Sequence, residues 1–255
     1  SCVPFVASIL LILNAGALGI GSVKATMLAY LMNAVWWGCM SVPLLKSYRQ
    51  RLAAEADGGE GTLKSLGRTL GEIRKNPRVF WFLLAFFFYI DGVYTIIDLA
   101  TSYGKDMGIS DTSLMLALLL TQVVAFPCSI LFGTLAKKLE SGKLIRISIL
   151  GYLGIVLFAL QLDKAWEFWF LAVCVAVFQG GIQALSRSYF TRIIPSEKAA
   201  EYFGFYDIFG KGAAFMGTLL VGAASQITGS SRNGVGLLAI LFLAGFFLFR
   251  KADRA

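Results

Sequence analysis

Gln179-Gly-Gly-Ile-Gln183-Ala-Leu-Ser186-Arg187-Ser188 closes one apolar run. After Arg192-Ile-Ile-Pro195, Tyr202-Phe-Gly-Phe-Tyr206-Asp207-Ile-Phe-Gly210-Lys211 opens the next. The polar side chains of this stretch therefore lie within hydrophobic segments and not in a solvated loop. Gln179, Gln183 and Ser186 fall at i, i+4 and i+7, one stripe of one helix. Gly180 and Gly181 sit beside that stripe against helix propensity. Paired glycines in a membrane span serve close packing or a break in the helix, and either reading suits this pair. Asp207 and Lys211 lie four apart in the following run. The pattern predicts one wall of a polar cavity inside an all-α, polytopic transmembrane bundle.

Composition supports that class. The 255 residues are 57% hydrophobic and only 15% charged, where a soluble domain carries roughly 25% charged residues. Apolar runs of about 20 residues, long enough to cross a bilayer, recur along the chain. They predict about eight spans, near Val3–Ile20, Thr26–Leu45, Val79–Ala100, Thr112–Ala136, Leu144–Leu162, Ala165–Ser186, Tyr202–Thr228 and Gly234–Phe249. Basic residues concentrate in alternate loops: Lys46–Arg78, Lys137–Arg146, Arg187–Lys198 and the tail from Arg250. The other loops carry one each, Lys24, Lys105, Lys164 and Arg232. This asymmetry predicts that the rich side and the C-terminus are cytoplasmic. The net charge of +8 is thus a topology signal and not a nucleic-acid footprint. The chain has no histidine, and its four cysteines lack metal-ligand spacing, so they read as small buried apolar side chains. No nucleophile–base pair or cofactor fingerprint accompanies them, so neither an enzyme nor a cofactor or metal site is expected. The opening Ser1-Cys2-Val3-Pro4 has neither an initiator Met nor a signal-peptide pattern, and a piece of something longer is expected.

Within the Lys46–Arg78 segment, Glu55–Gly61 is flexible in composition. Thr62 can cap a short helix with Leu63, Leu66, Leu70 and Ile73 on one face. That helix lies in the membrane interface or rests on the protein as a solvated linker. The third span carries Asp91, Tyr94, Thr95 and Asp98 at i, i+3, i+4 and i+7. A bare carboxylate at the depth of Asp91 costs roughly 2.5–3.5 kcal/mol, which favours a cavity, a partner or protonation. The readings are a proton or substrate site and a structural ion pair with a neighbouring helix. Asp98, near the outer end, reads as a solvated cap. The fourth span holds Gln122 and the kinking residue Pro127. The fifth, with little polarity, reads as peripheral and lipid-facing. The seventh pairs Gly210/Ala214, Ala213/Gly217 and Thr218/Gly222, spacings that let helices approach closely. There Asp207 and Lys211 either neutralise each other or send Lys211 into a cavity.

Two sets of residues carry a family resemblance. Gly133-Thr-Leu135-Ala136-Lys137-Lys138-Leu-Glu-Ser-Gly142-Lys143 resembles the loop motif Gly-x-Leu-Ala-Asp-Arg-x-Gly-Arg of the major facilitator superfamily, with Lys137 where the motif has Asp. Gly180-Gly181, Gln183-Ala-Leu-Ser186-Arg187-Ser188, Pro195, Glu201, Phe203-Gly-Phe-Tyr206 and Gly210-Lys211 resemble that superfamily's vacuole-effluxer branch, as do Tyr89, Asp91-Gly92 and Thr95-Ile-Ile. The branch includes an autophagy-related vacuolar amino-acid permease. The resemblance implies that residues 79–255 are the six-span second half of a twelve-span transporter. Residues 1–45 would be the last two spans of the first half, 46–78 the central cytoplasmic loop, and further N-terminal spans of the same chain would complete the molecule. It also implies a secondary transporter in a bacterial cytoplasmic membrane, moving small solutes, amino acids among them, by alternating access with proton coupling. In this reading Asp91, Tyr94, Thr95, Gln179 and Gln183 line the solute and proton pathway. Gly180 and Gly181 let a helix flex, and Gly133, Lys137, Lys138, Arg187, Asp207 and Lys211 form a cytoplasmic gate or motif. The partners are a small solute, protons and membrane lipid, with no nucleic acid. The rival is a non-transporting membrane scaffold or sensor, whose polar stripes are interhelical hydrogen bonds worth roughly 0.6 kcal/mol each.

Overall fold

A computed structural model describes residues 2–48 and 62–254. The described residues form helices and their connections, with no strand. They are α1 (Cys2–Leu13), α2 (Ser22–Ser47), α3 (Thr62–Lys75), α4 (Pro77–Asp106), α5 (Asp111–Leu135), α6 (Ser141–Ala159), α7 (Ala165–Ile193), α8 (Ala199–Thr228) and α9 (Ser231–Arg254), with a 3₁₀ turn at Ser196–Lys198. Seven helices, all but α1 and α3, are long and apolar enough to cross a membrane, so the chain is an integral, multi-pass membrane protein. Glu55–Gly61, expected to be flexible, lies outside the described residues, as do the side chains of Thr62 and Leu63.

The predicted helices recur with shifted ends. The expected span Val3–Ile20 is a 12-residue helix, α1, followed by a series of turns in which the Ala15 amide bonds the Ile12 carbonyl at 3.3 Å and Gly19 takes a left-handed conformation (φ 66°). Helix α4 starts earlier than its apolar run, where the Asn76 side chain accepts from the Val79 amide at 3.3 Å and Pro77 occupies the first turn. Helix α7 continues past Ser186 to Ile193, so Arg187 and Arg192 lie on a helix and not in a loop. Hydropathy stops where a helix leaves the apolar layer, whereas its backbone hydrogen bonds do not.

Helix α4 is the hub. It packs on α8 and α9 and touches α7, while α7 packs on α5 and α6, and α6 meets α9. Exchanging the triplet α4–α6 with α7–α9 maps α4·α8 onto α7·α5 and α4·α9 onto α7·α6, the pairing of an inverted structural repeat. The exchange is imperfect, since α8 also packs on α9. Helices α1 and α2 form a separate hairpin that reaches the rest through α1 and α5. Asn33 donates to the Ser8 hydroxyl at 2.7 Å within that hairpin.

The interior is uneven along the bundle axis. Towards the end that carries the basic loops, Phe82, Phe86, Tyr189, Phe190, Tyr206 and Phe249 fill the centre, with Phe86 and Tyr206 stacked at 4.1 Å. Such pairs contribute about 0.5–1.5 kcal/mol each beyond their buried area. Towards the opposite end the packing leaves a cavity. Helix α6 departs from expectation. Ile145, Ser148, Ile149 and Tyr152 are fully buried between α7 and α9, whereas Ile147, Leu150 and Leu157 are its large apolar side chains that face outward. The cysteines differ too: Cys39 is exposed, and Cys128 and Cys174 are half-buried. Helix α3 rests on the protein, with Ile73 and Thr69 buried. Thr69 donates to Glu201 of α8, and Lys198 pairs with Glu72 at 2.6 Å.

Candidate functional site

Asp91 and Thr95 sit at mid-depth on α4, one turn apart, and both are fully buried. The Thr95 hydroxyl donates towards Asp91 Oδ1 over 3.4 Å, and Asp91 Oδ2 has no hydrogen-bond partner among the described residues. Their shared face meets α8 at Gly217. A β-carbon there would stand 2.1 Å from both Asp91 Oδ1 and Thr95 Oγ1. Of the helix-approach spacings on α8, Ala213/Gly217 thus makes the contact with the carboxylate, while Gly222 faces open space. Asp91 has no ion pair among the described residues. The structural ion pair considered from sequence is absent there, and a buried carboxyl oxygen is left without compensation. A bare charge in such a place is costly.

A second polar tie lies two residues nearer the basic end of α4. Ser186 of α7 donates to the Ile182 carbonyl at 2.6 Å, so the buried Tyr89 hydroxyl of α4 donates to Ser186 at 2.7 Å. Ser186 belongs to the stripe with Gln179 and Gln183, but its role in this geometry is to hold α4 against α7. Tyr89 belongs to the residues that carry the family resemblance, and nothing in its spacing points to this partner.

The cavity lies in the opposite half of the bundle, among α4, α5, α6, α7 and α9, and holds about 120 Å³. Its wall is mostly aliphatic and aromatic, including Leu114, Ile155, Phe168 and Leu238. Its polar members are Thr95, Thr101, Tyr103, Thr121, Gln122 and Gln179. Two of the expected pathway residues, Thr95 and Gln179, therefore meet at its inner part. Asp91 lies behind Thr95 in the α4·α8 contact and not on the cavity wall. Tyr94 and Gln183 are half-buried and off the wall. Neither Gln179 nor Gln183 has a side-chain hydrogen-bond partner among the described residues. Thr121 escaped the sequence reading; its signal is the cavity-facing set Leu114, Ala117, Leu118 and Thr121 on one face of α5.

Gly180 and Gly181 lie in an unbroken α7. A β-carbon at Gly180 would approach Ser129 Cβ to 2.8 Å, and one at Gly181 would approach the Phe132 ring to 2.6 Å. Of the two readings of the pair, the geometry displays close packing of α7 on α5, with no break. The residues of the expected gate are scattered over the basic end. Gly133, Lys137 and Lys138 are exposed where α5 runs out, and Arg187 lies over the Phe203 ring at 4.8 Å. Asp207 and Lys211 are both exposed on α8 and do not pair with each other. They share that outer face with Ile208, Phe215 and Leu219.

Comparison with known proteins adds a family to this geometry. A family model described as vacuole effluxer Atg22 like matches residues 2–254. An uncharacterised MFS-type transporter of Bacillus subtilis is 43% identical over 252 residues, covering 97% of this chain and 59% of the relative. Autophagy-related protein 22 of Yarrowia lipolytica is 26% identical, covering 89% of this chain and 44% of the relative. Autophagy-related protein 22-1 of Aspergillus niger is 27% identical, covering 89% and 41%. The chain thus spans about half the length of the curated relatives it matches.

Proposed function

Because the chain belongs to the vacuole effluxer Atg22-like family, we propose that it forms part of a secondary transporter that rocks two helical halves around a midplane site. Residues 79–255 are the six-span second half, 1–45 the last two spans of the first, and 46–78 the loop between them. The length of the relatives and the exchangeable pairing of α4–α6 with α7–α9 support that division. The solute is small, and amino acids are the class to try first. The bacterial relative favours a bacterial cytoplasmic membrane, and the loop charges favour a cytoplasmic C-terminus.

One observation carries the mechanism: a fully buried carboxyl with an unpartnered oxygen, set one turn from a cavity that reaches Thr95 and Gln179. Asp91 is the group that takes up and releases the coupling proton. Its charge state is read by the α4·α8 contact at Gly217, because charging a desolvated carboxylate favours any arrangement that admits water or a cation. Thr95 links that contact to the cavity, and Gln179 provides neutral hydrogen-bonding groups for the solute. Gly180 and Gly181 are the positions where α7 slides or flexes against α5. Tyr94, Gln183, Asp207, Lys211, Arg187, Lys137 and Lys138 face the other half of the transporter.

The test is solute uptake by the full-length protein in proteoliposomes, with and without an imposed pH gradient. Asp91→Asn is expected to abolish gradient-driven accumulation while keeping expression and equilibrative exchange. Undiminished accumulation in that variant overturns the coupling role. Absence of any flux in the wild type, over a panel of amino acids and other small solutes, favours the scaffold or sensor reading.

A further inference from the structure

A second cavity, of about 500 Å³, opens at the basic end between the starts of α4 and α6 and the ends of α7 and α9. It belongs neither to the mid-depth site nor to the apolar cavity. We propose that it binds a phosphate group.

Four observations meet there. The start of α6 lines this space, and among the described residues no side chain hydrogen-bonds that end, although the Asp253 carboxylate stands beside Gly142. Ser141, in the first turn of α6, is buried at the cavity wall, and its hydroxyl has no hydrogen-bond partner among the described residues. A buried hydroxyl of that kind calls for an external partner. Arg78 and Arg192 border the same space, and neither pairs with a carboxylate among the described residues. Among the described residues Arg78 meets Tyr189, donating to its hydroxyl at 3.4 Å and lying 5.8 Å from its ring centre.

Two carboxylates also border the cavity, and each already has a cation. Asp253 is bound by Arg146 at 3.1 Å and accepts from Tyr189 at 3.3 Å. Glu140 pairs with Lys143 at 3.2 Å. The uncompensated charge facing the space is therefore that of the two arginines. Two guanidinium groups, a helix N-terminus and a hydroxyl donor match the acceptor oxygens of a phosphate. A phospholipid headgroup at the membrane surface and a soluble phosphate share this chemistry. The site is independent of Asp91 and of the transport reading.

The intact chain, delipidated in a non-ionic detergent, is titrated with short-chain phosphatidylglycerol and, separately, with inorganic phosphate. Diacylglycerol of the same chain length is the control, and binding is read by native mass spectrometry and by the shift in melting temperature. At least one phosphate probe is expected to bind where diacylglycerol does not. Preference for phosphatidylglycerol identifies a headgroup site, and preference for inorganic phosphate a soluble ligand. The double variant Arg78→Gln/Arg192→Gln should weaken that binding at least about tenfold, while Arg250→Gln, at the same end, stays within about twofold. Ser141→Asp should weaken it comparably without lowering the melting temperature of the unliganded protein, because a carboxylate suits a helix N-terminus but repels phosphate. The proposal is overturned if neither probe binds better than diacylglycerol. It is equally overturned if Arg250→Gln weakens binding as much as the double variant, or if Ser141→Asp binds as the wild type does.

Discussion

Substituting Gly217 by Ala tests the geometry around Asp91 most directly. The added methyl would begin 2.1 Å from Asp91 Oδ1 and from Thr95 Oγ1, and 2.8 Å from Asp91 Cγ. Ordinary contacts between such atoms lie near 3.5 Å, so α4 and α8 must separate or both side chains must leave their rotamers. Neither side chain has room to turn, since both are fully buried. Overpacking of this kind costs about 1–3 kcal/mol, partly offset by the gain of about 1 kcal/mol in helix propensity on replacing glycine with alanine. Gly222 on the same helix offers the matched control, because its methyl would meet nothing within 4 Å. Gly217→Ala should therefore be about 1–3 kcal/mol less stable than Gly222→Ala. For a chain of this size that is a difference of roughly 2–12 °C in melting temperature. Differential scanning fluorimetry in detergent, at one protein and lipid concentration, measures it. Removing the obstruction should restore stability, so Gly217→Ala combined with Asp91→Ala should lose less than the sum of the single changes, by about 1 kcal/mol. Equal melting temperatures for the two glycine variants, or strict additivity in the double variant, would refute the placement of Asp91 against α8.

Three further outcomes follow. Tyr89→Phe and Ser186→Ala should each destabilise the bundle by about 1 kcal/mol, and their double-mutant cycle should return a coupling of roughly 0.6 kcal/mol; zero coupling would mean that the two hydroxyls do not meet. In a cysteine-free background, Gln179→Cys, on the cavity wall, should react with small thiol reagents many times faster than Ala213→Cys in the α4·α8 contact, and equal rates would deny the cavity access from water. Replacing Glu72 and Glu201 by Gln should loosen α3 from α8, seen as faster amide exchange over Thr62–Lys75 with unchanged protection of α4, because Lys198 and Thr69 lose charged partners.

Much of this architecture is legible in one dimension. In a bilayer every backbone polar group must be satisfied within its own segment, so long apolar runs read directly as helices. Periodicity also places Asp91, Tyr94, Thr95 and Asp98 on one face of α4, and Gln179, Gln183 and Ser186 on one face of α7. Even the short amphipathic helix expected to start near Thr62 appears, as Thr62–Lys75. The family was readable from the glycines and polar residues between Gln179 and Lys211, and the comparison across residues 2–254 agrees with it.

What a face touches was decided only in three dimensions. Lipid chains and a protein interior are equally apolar, so hydropathy could not tell that α6 is buried on one side, or that Cys39 is exposed. Periodicity assigned Asp91 and Thr95 to the same face, yet only the crossing of α4 with α8 divides them. It turns the carboxyl to Gly217 and leaves Thr95 beside the cavity. The same applies to Gly180 and Gly181, whose sequence allowed a break or a close contact, and whose neighbours Ser129 and Phe132 on α5 supply the contact. Chain order and residue type determine which helices exist and which of their faces carry polar groups. The pairing of those faces depends on shape complementarity between segments distant in sequence, and that is a property of the folded bundle.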